Sequence, residues 1–561
     1  MSATRFAPAL TIALLTGPVI AGCIGIVLPA FGYLPALGGL ALSLEPWRAL
    51  LDWPGLGIAV RHSIATGVSA TGIALFITLL ILAAWQGSRV FVAITRALSP
   101  LLSVPHAAAA LGLAFLLAPS GWIARALSPW ATGWQRPPDL LIVNDPLGLT
   151  LIAGLVIKEV PFLLLMSIAA LSQIDSGRTL LLTQTMGYGR IMGWVKVVLP
   201  QLYPQIRLPV MAVLAYSVSV VDMAMILGPT RPPTLAVQIL DWMGNPDLAY
   251  RFQASAAAVL QLFVAAAALL AWRLTEGGVA QLSQRWLTAG ARGRHVDRVA
   301  RPVALGLAGL SVGAVAFGLA GLAVWSFAGL WRFPDLWPQT LNLQTWDRQA
   351  TGLTGAITQT VIIGLLATGA AIVLTLACLQ AEYRRDAAVR RALLVLYVPL
   401  LVPQVAFVPG LTTLTLIAGV APSVWLVALV HLVFVLPYVF LSLSDPWRTW
   451  DRRAGVVAHA LGASHSRVFW AVRLPMLSRA IAVACAVGFA TSVAQYLPTL
   501  LISAGRIDTL TTEAVALGSG GNRRVIGAYA LAQMLAPFVG FALALGIPAL
   551  LWRNRQGMRV T

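Results

Sequence analysis

The chain has 561 residues, 59% of them apolar and only 10% charged, with a mean hydropathy of +0.84. Soluble domains are about half apolar and a quarter charged, so composition excludes a set of soluble domains and indicates a polytopic membrane protein, with apolar stretches of about twenty residues recurring throughout. The formal charge of +19 would suit a nucleic-acid partner, but the basic residues cluster in short segments between apolar stretches, which is the positive-inside pattern and not a binding patch.

Twelve spans are expected, at about 8–30, 62–85, 102–118, 147–171, 206–227 and 253–272, then at about 303–326, 355–379, 393–418, 421–442, 480–502 and 525–551. The third is the shortest and opens with Pro105 and His106. Within the first, Ile20-Ala21-Gly22-Cys23 has the form of a lipoprotein cleavage box. A small-residue helix face explains it better, since Gly and Ala are common in membrane helices and cleavage there would remove a span. The cysteines, Cys23, Cys378 and Cys485, all lie in apolar stretches, with no spacing for a disulfide framework or a metal site.

With the N-terminus inside, 26 of the 38 basic residues fall on the inner side, from Arg5 through Arg384, Arg385, Arg390 and Arg391 to Arg555 and Arg559. Eleven fall outside, and Lys158 lies within a span. That bias places both termini in the cytoplasm. Residues 273–302 are polar, contain Gly and carry six Arg. They read as a cytoplasmic linker between a first half at 1–272 and a second at 303–561. An amphipathic helix on the membrane surface is the alternative.

One stretch occurs twice. Met186-Gly187 leads through Arg190, Trp194 and Val197 to Leu199-Pro200, and Leu461-Gly462 leads through His465, Phe469 and Val472 to Leu474-Pro475. Gly187 and Gly462, like Pro200 and Pro475, are offset by 275 residues. The Gly permits a tight or left-handed turn between two short helices, and the Pro suits the first turn of the membrane helix that follows. Arg190, Gly193, Trp194 and Val197, and likewise His465, Val468, Phe469 and Val472, recur at i, i+3, i+4 and i+7. Each set makes one helical face around a large aromatic, which suits docking into a partner's groove or a place at the membrane interface. Two copies in register favour docking. The repeat extends to Thr234-Leu235 and Thr509-Leu510, again 275 apart, and to Pro161-Phe162 and Pro437-Tyr438, displaced by 276. The fold class expected is an all-α polytopic membrane protein of about twelve helices, two tandem six-helix repeats related by a pseudo-twofold axis along the membrane normal.

The paired loops, near 180–206 and 449–479, resemble the "EAA" loop of ABC importer permeases, whose pattern is Glu-Ala-Ala, three residues, Gly, nine residues, Ile-x-Leu-Pro. The Gly and the closing Val-x-Leu-Pro match. The opening triplet falls on Leu181-Leu182-Thr183 and Val456-Val457-Ala458, so both Glu are absent. The layout resembles the fused, double-length permeases of ferric-iron, thiamine and related systems. The resemblance implies a bacterial inner-membrane translocation subunit whose coupling helices are gripped by an ABC ATPase dimer. That partner would bind the ATP and Mg, with no cofactor held by this chain, and a periplasmic binding protein would deliver the solute near the loops of Thr234 and Thr509. The chain has no P-loop of its own, since neither Lys158 nor Lys196 follows the required Gly-x4-Gly.

Lys158 and Glu159 near the middle of the fourth span and Asp222 late in the fifth are candidates for a translocation path, because intramembrane charge is costly and usually faces a cavity or a partner. Structural pairing with another helix explains them equally well. No catalytic constellation, metal-ligand spacing or nucleic-acid motif stands out. A secondary transporter, which also shows six-plus-six repeats, and a non-transporting membrane scaffold are the alternative functions.

Overall fold

A computed structural model describes residues 6–288, 290–385, 390–518 and 520–553, and the side chains of 384–394 lie outside that description. Arg5, Arg384, Arg385, Arg390, Arg391, Arg555 and Arg559 of the expected inner charges therefore fall outside the described parts. The described residues are mostly helical, and among them extended pairing is limited to the isolated bridges Leu34 with Gly39 and Ala328 with Leu341. Helices prevail because a lipid-facing backbone must satisfy its own N–H and C=O groups.

The first half contains α1 (Ala7–Ala30), α2 (Leu56–Trp85), α3 (His106–Leu117), α4 (Leu149–Leu171), α5 (Leu199–Ser219) and α6 (Tyr250–Thr288). The second contains α7 (Val296–Phe327), α8 (Gln344–Arg385), α9 (Gln404–Ile417), α10 (Val424–Arg448), α11 (Ser478–Val493) and α12 (Arg523–Leu551). Among the described residues ten helices are long and apolar enough to cross a membrane, or up to twelve if each of two bent pairs is one span: Val395–Leu401 with Gln404–Ile417 at 94°, and His465–Met476 with Ser478–Val493 at 71°.

Several expected boundaries differ from those observed: α7 and α8 start earlier than expected, at Val296 and Gln344, and three segments differ in kind. The fifth span ends at Ser219, Val220 is extended, and a new helix starts at Asp222. Its counterpart ends at Val493 and restarts at Leu497. Val218, Val220 and Val221 are β-branched and weak helix formers, while Pro498 disfavours helix just before it. The expected linker is also mostly helix. α6 runs 39 residues to Thr288, about 58 Å at the usual rise against a hydrocarbon core of about 30 Å. Gly277 and Gly278 weaken it most beyond the sixth span, and they stand among good helix formers such as Leu274, Ala280, Leu282 and Arg285. The turn is confined to residues 290–295, with Gly290 and Gly293 at positive φ.

The packing repeats between halves. α2 lies on α4 and α5, as α8 lies on α10 and α11; α5 lies on α6, as α11 lies on α12. The first span of each half crosses over: α1 packs on α9, and α7 packs on α3. Glycines set both crossings. A Cβ on Gly22 would run into the Phe407 carbonyl and one on Gly410 into that of Gly22, while Gly112 and Gly318 exclude each other's Cβ in the same way. Such small-residue contacts let helix backbones approach closely in a bilayer. Gly22 beside Cys23 thus belongs to a helix-crossing face.

Candidate coupling and translocation sites

Each repeated loop begins with a short helix, Ser176–Thr185 or Arg452–Ala460, whose N-terminus is capped by an Asp. Asp175 accepts from the Arg178 amide at 3.3 Å, and Asp451 from that of Arg453 at 2.9 Å. Both helices end in the same Schellman turn. Gly187 has φ 84° and Gly462 φ 83°, the left-handed region that a Cβ disfavours. The amides of Gly187 and Tyr188 donate to the carbonyls of Gln184 and Thr183, and those of Gly462 and Ala463 to His459 and Ala458.

A second short helix follows, Arg190–Gly193 or His465–Val468, and opens into a π-helical turn, Trp194–Val198 or Phe469–Arg473. Pro200 and Pro475 account for that widening. Each lacks the N–H of an ordinary α-helical bond, and its ring crowds the carbonyl four residues back.

Of the faces expected to meet a partner, the first points inward at Trp194, whereas in the second His465 is exposed and Phe469 is half-buried. Trp194 is fully buried, and its Nε1 donates to Gln86 Oε1 at 2.7 Å. Arg190 donates to the carbonyls of Ala84, at 3.0 Å, and Gln86. Val197, Leu199, Val472 and Leu474 are half-buried, the last three packed on the hydrophobic core. Phe469 is half-buried against Trp447, with centroids 6.1 Å apart. Trp194 therefore fixes the first loop to its own half and is covered from a partner, while Phe469 packs in part on its own half.

What faces outward in both copies is the helix before the Gly, joined in the second copy by His465 and by Trp470, which is 67% exposed. Leu181, Leu182 and Met186 are 59–66% exposed, and Val456, Val457 and Leu461 are 58–83% exposed. The two sets are related by the same offset of 275, and they include the positions of the missing Glu-Ala. Exposed Arg178, Arg292 and Arg294 lie around the first patch, and Arg453 and Arg467 in the loop of the second. The signal was present in the sequence as two apolar pairs inside otherwise polar segments.

The loops are held differently. Asp297, at the start of α7, accepts from the amides of Arg190 at 2.7 Å and Ile191 at 3.0 Å, so it caps the helix Arg190–Gly193 from 106–107 residues away. Arg294 Nε donates to the Gly187 carbonyl at 2.9 Å, and the Gly189 amide donates to the Arg292 carbonyl at 2.8 Å. The matching helix His465–Val468 is capped by its own Ser464, which accepts from the Arg467 amide at 3.3 Å.

Thr234 and Thr509 are 3% and 4% exposed and cannot be surface docking contacts themselves. They open the matched helices Leu235–Met243 and Leu510–Gly518. Those helices are tied to the second span of each half: the Leu235 amide donates to Ser63 Oγ at 3.0 Å and that of Leu510 to Thr360 Oγ1 at 2.9 Å. The loops entering them do expose a matched pair, Arg231 and Arg506, again 275 apart.

Lys158, Glu159 and Asp222 are all buried. Lys158 Nζ donates to the carbonyls of Leu101 at 2.9 Å and Val104 at 2.6 Å, so it caps the non-α-helical turn that leads into α3. Glu159 Oε1 lies 3.7 Å from His106 Nε2. Tyr216 Oη donates to Asp222 Oδ1 at 3.5 Å.

No family model matches the chain. Over 524 residues, 92% of this chain and 93% of the relative, it is 33% identical to the inner membrane ABC transporter permease protein YnjC of Escherichia coli strain K12.

Proposed function

The chain belongs to the permeases of ABC transporters, multi-pass inner-membrane proteins, and from that premise we propose that it is the double-length translocation subunit of an importer. Chemistry resides in a separate ABC ATPase dimer that binds ATP and Mg. Both termini and both coupling loops face the cytoplasm, as the inward excess of Arg supports. A small solute arrives from a periplasmic binding protein.

One observation carries this reading: the two Schellman-turned loops present the same apolar triad, Leu181, Leu182 and Met186 or Val456, Val457 and Leu461, to solvent. Two like patches suit a dimer of one ATPase, with one groove per patch. Apolar side chains standing where the family pattern has Glu call for a groove with an apolar floor, and the surrounding Arg call for an acidic rim. On the opposite side, Arg231 and Arg506 form a matched basic pair for a binding protein with acidic lobes.

Leu181→Asp with Leu182→Asp, and Val456→Asp with Val457→Asp, should each weaken ATPase co-purification. Losing contacts of hot-spot rank costs about 2 kcal/mol or more, roughly thirtyfold in affinity. Arg231→Glu with Arg506→Glu should lower uptake and leave the ATPase bound. Full ATPase retention by both Asp pairs would sink the coupling assignment, and unchanged uptake in the Glu pair would sink the docking assignment.

A further inference from the structure

The fifth span of each half is broken at matched places, and the breaks meet across the molecule: Tyr496 Oη lies 3.5 Å from Met225 Sδ. Irregular backbone at membrane depth persists where it is buried in protein or lines a cavity. Around this meeting point stand His106 of α3, Glu159 of α4, Tyr216 of α5, Asp222 at the restart of the fifth span, and Tyr438 and Tyr496 of the second half. The His106 and Tyr216 rings have centroids 5.0 Å apart. Tyr438 lies within electrostatic reach of Glu159, and Tyr496 of Asp222.

Glu159 is only 5% exposed, and its carboxylate accepts no hydrogen bond from any described residue; its nearest basic atom is His106 Nε2 at 3.7 Å. Lys158 supplies one positive charge, but its ammonium is directed to the Leu101 and Val104 carbonyls. Glu159 and Asp222 are thus two buried carboxyl groups beside one ammonium that is already engaged, an arrangement costly in a bilayer unless a further group pairs with it. The asymmetry is specific to the first half. In the repeat, Glu159 corresponds to Val435, Asp222 to Leu497 and Lys158 to Phe434, and His106, the first residue of α3 after Pro105, corresponds to Gln404, the first of α9 after Pro403. The second half contributes tyrosines and neutral side chains.

We propose that this cluster is a solute site on the translocation path, built for an organic cation whose positive group sits between Glu159 and Asp222 while its apolar part lies on the Tyr216, Tyr438 and Tyr496 rings. Carboxylates and aromatic faces both attract such a cation. The described residues hold no group of three or more His, Cys, Asp or Glu side chains able to grip a metal ion, which favours a polyatomic cation. The inference deepens the permease reading and rests on it.

The test is thermal unfolding of the full-length purified chain with benzyltrimethylammonium, with benzoate and benzyl alcohol as the anionic and neutral matches. The cation should raise the unfolding midpoint in proportion to dose, and the two matches should not. Glu159→Gln and Asp222→Asn should each abolish the shift; if one variant fails to fold, the other decides. Val456→Asp with Val457→Asp should keep the shift while losing the ATPase. No shift in the wild-type chain, an equal shift with benzoate, or an undiminished shift in a folded carboxylate variant would overturn the site. None of those results would touch ATPase binding, so the permease reading stands or falls separately.

Discussion

Gly187 and Gly462 occupy nearly the same left-handed conformation, yet their surroundings differ. A Cβ at Gly462 would meet open space, whereas one at Gly187 would come within 2.9 Å of the Arg294 guanidinium. Gly462→Ala should therefore cost the intrinsic penalty alone, about 1 kcal/mol, and speed amide exchange in the flanking helices about fivefold. Gly187→Ala should cost more, because it also displaces Arg294. Hydrogen exchange measured on the two loops checks this, and equal or absent effects would contradict it. The role of each Gly was legible in the sequence because it is set by local φ. That of Trp194 was not. A period of 3.6 shows that a face is apolar without showing what covers it, and here the cover is Gln86, 108 residues away. Glu159 and Asp222 stood out as charges within spans, but the tyrosines around them are unremarkable until α10 and the two helix breaks are brought together.

At the scale of elements, the two coupling helices share geometry and differ in support. The first is capped by Asp297 across the junction between halves, and the second by the neighbouring Ser464. Removing a cap typically costs about 1 kcal/mol. Asp297→Ala should loosen Arg190–Gly193 and leave His465–Val468 unchanged, read as faster proteolysis or amide exchange confined to the first loop. Equal loosening of both loops, or of neither, would contradict the clasp. Most spans were legible from hydropathy because a bilayer demands long apolar helices. The break in the fifth span was less so, since Val218 to Val221 is as apolar as an intact helix would be. The polar extension of α6 to Thr288 looked like a loop because its charges suit either state.

For the whole molecule, the offset of 275 made the duplication visible, and the packing extends it to matched helix contacts. The exchange of α1 and α7 between halves was not visible, because glycines such as Gly22, Gly112, Gly318 and Gly410 mark close approach without naming the partner. Each half is thus completed by the other's first span. The measurement closest to the central claim is cross-linking from single cysteines at Leu182→Cys, Val457→Cys and Trp194→Cys, in a chain whose three native cysteines are replaced, with the partner ATPase present. The first two should link to the ATPase at the inner face of the membrane and the third should not. A link from position 194, or none from 182 and 457, would show that the motor does not hold the permease by these apolar patches.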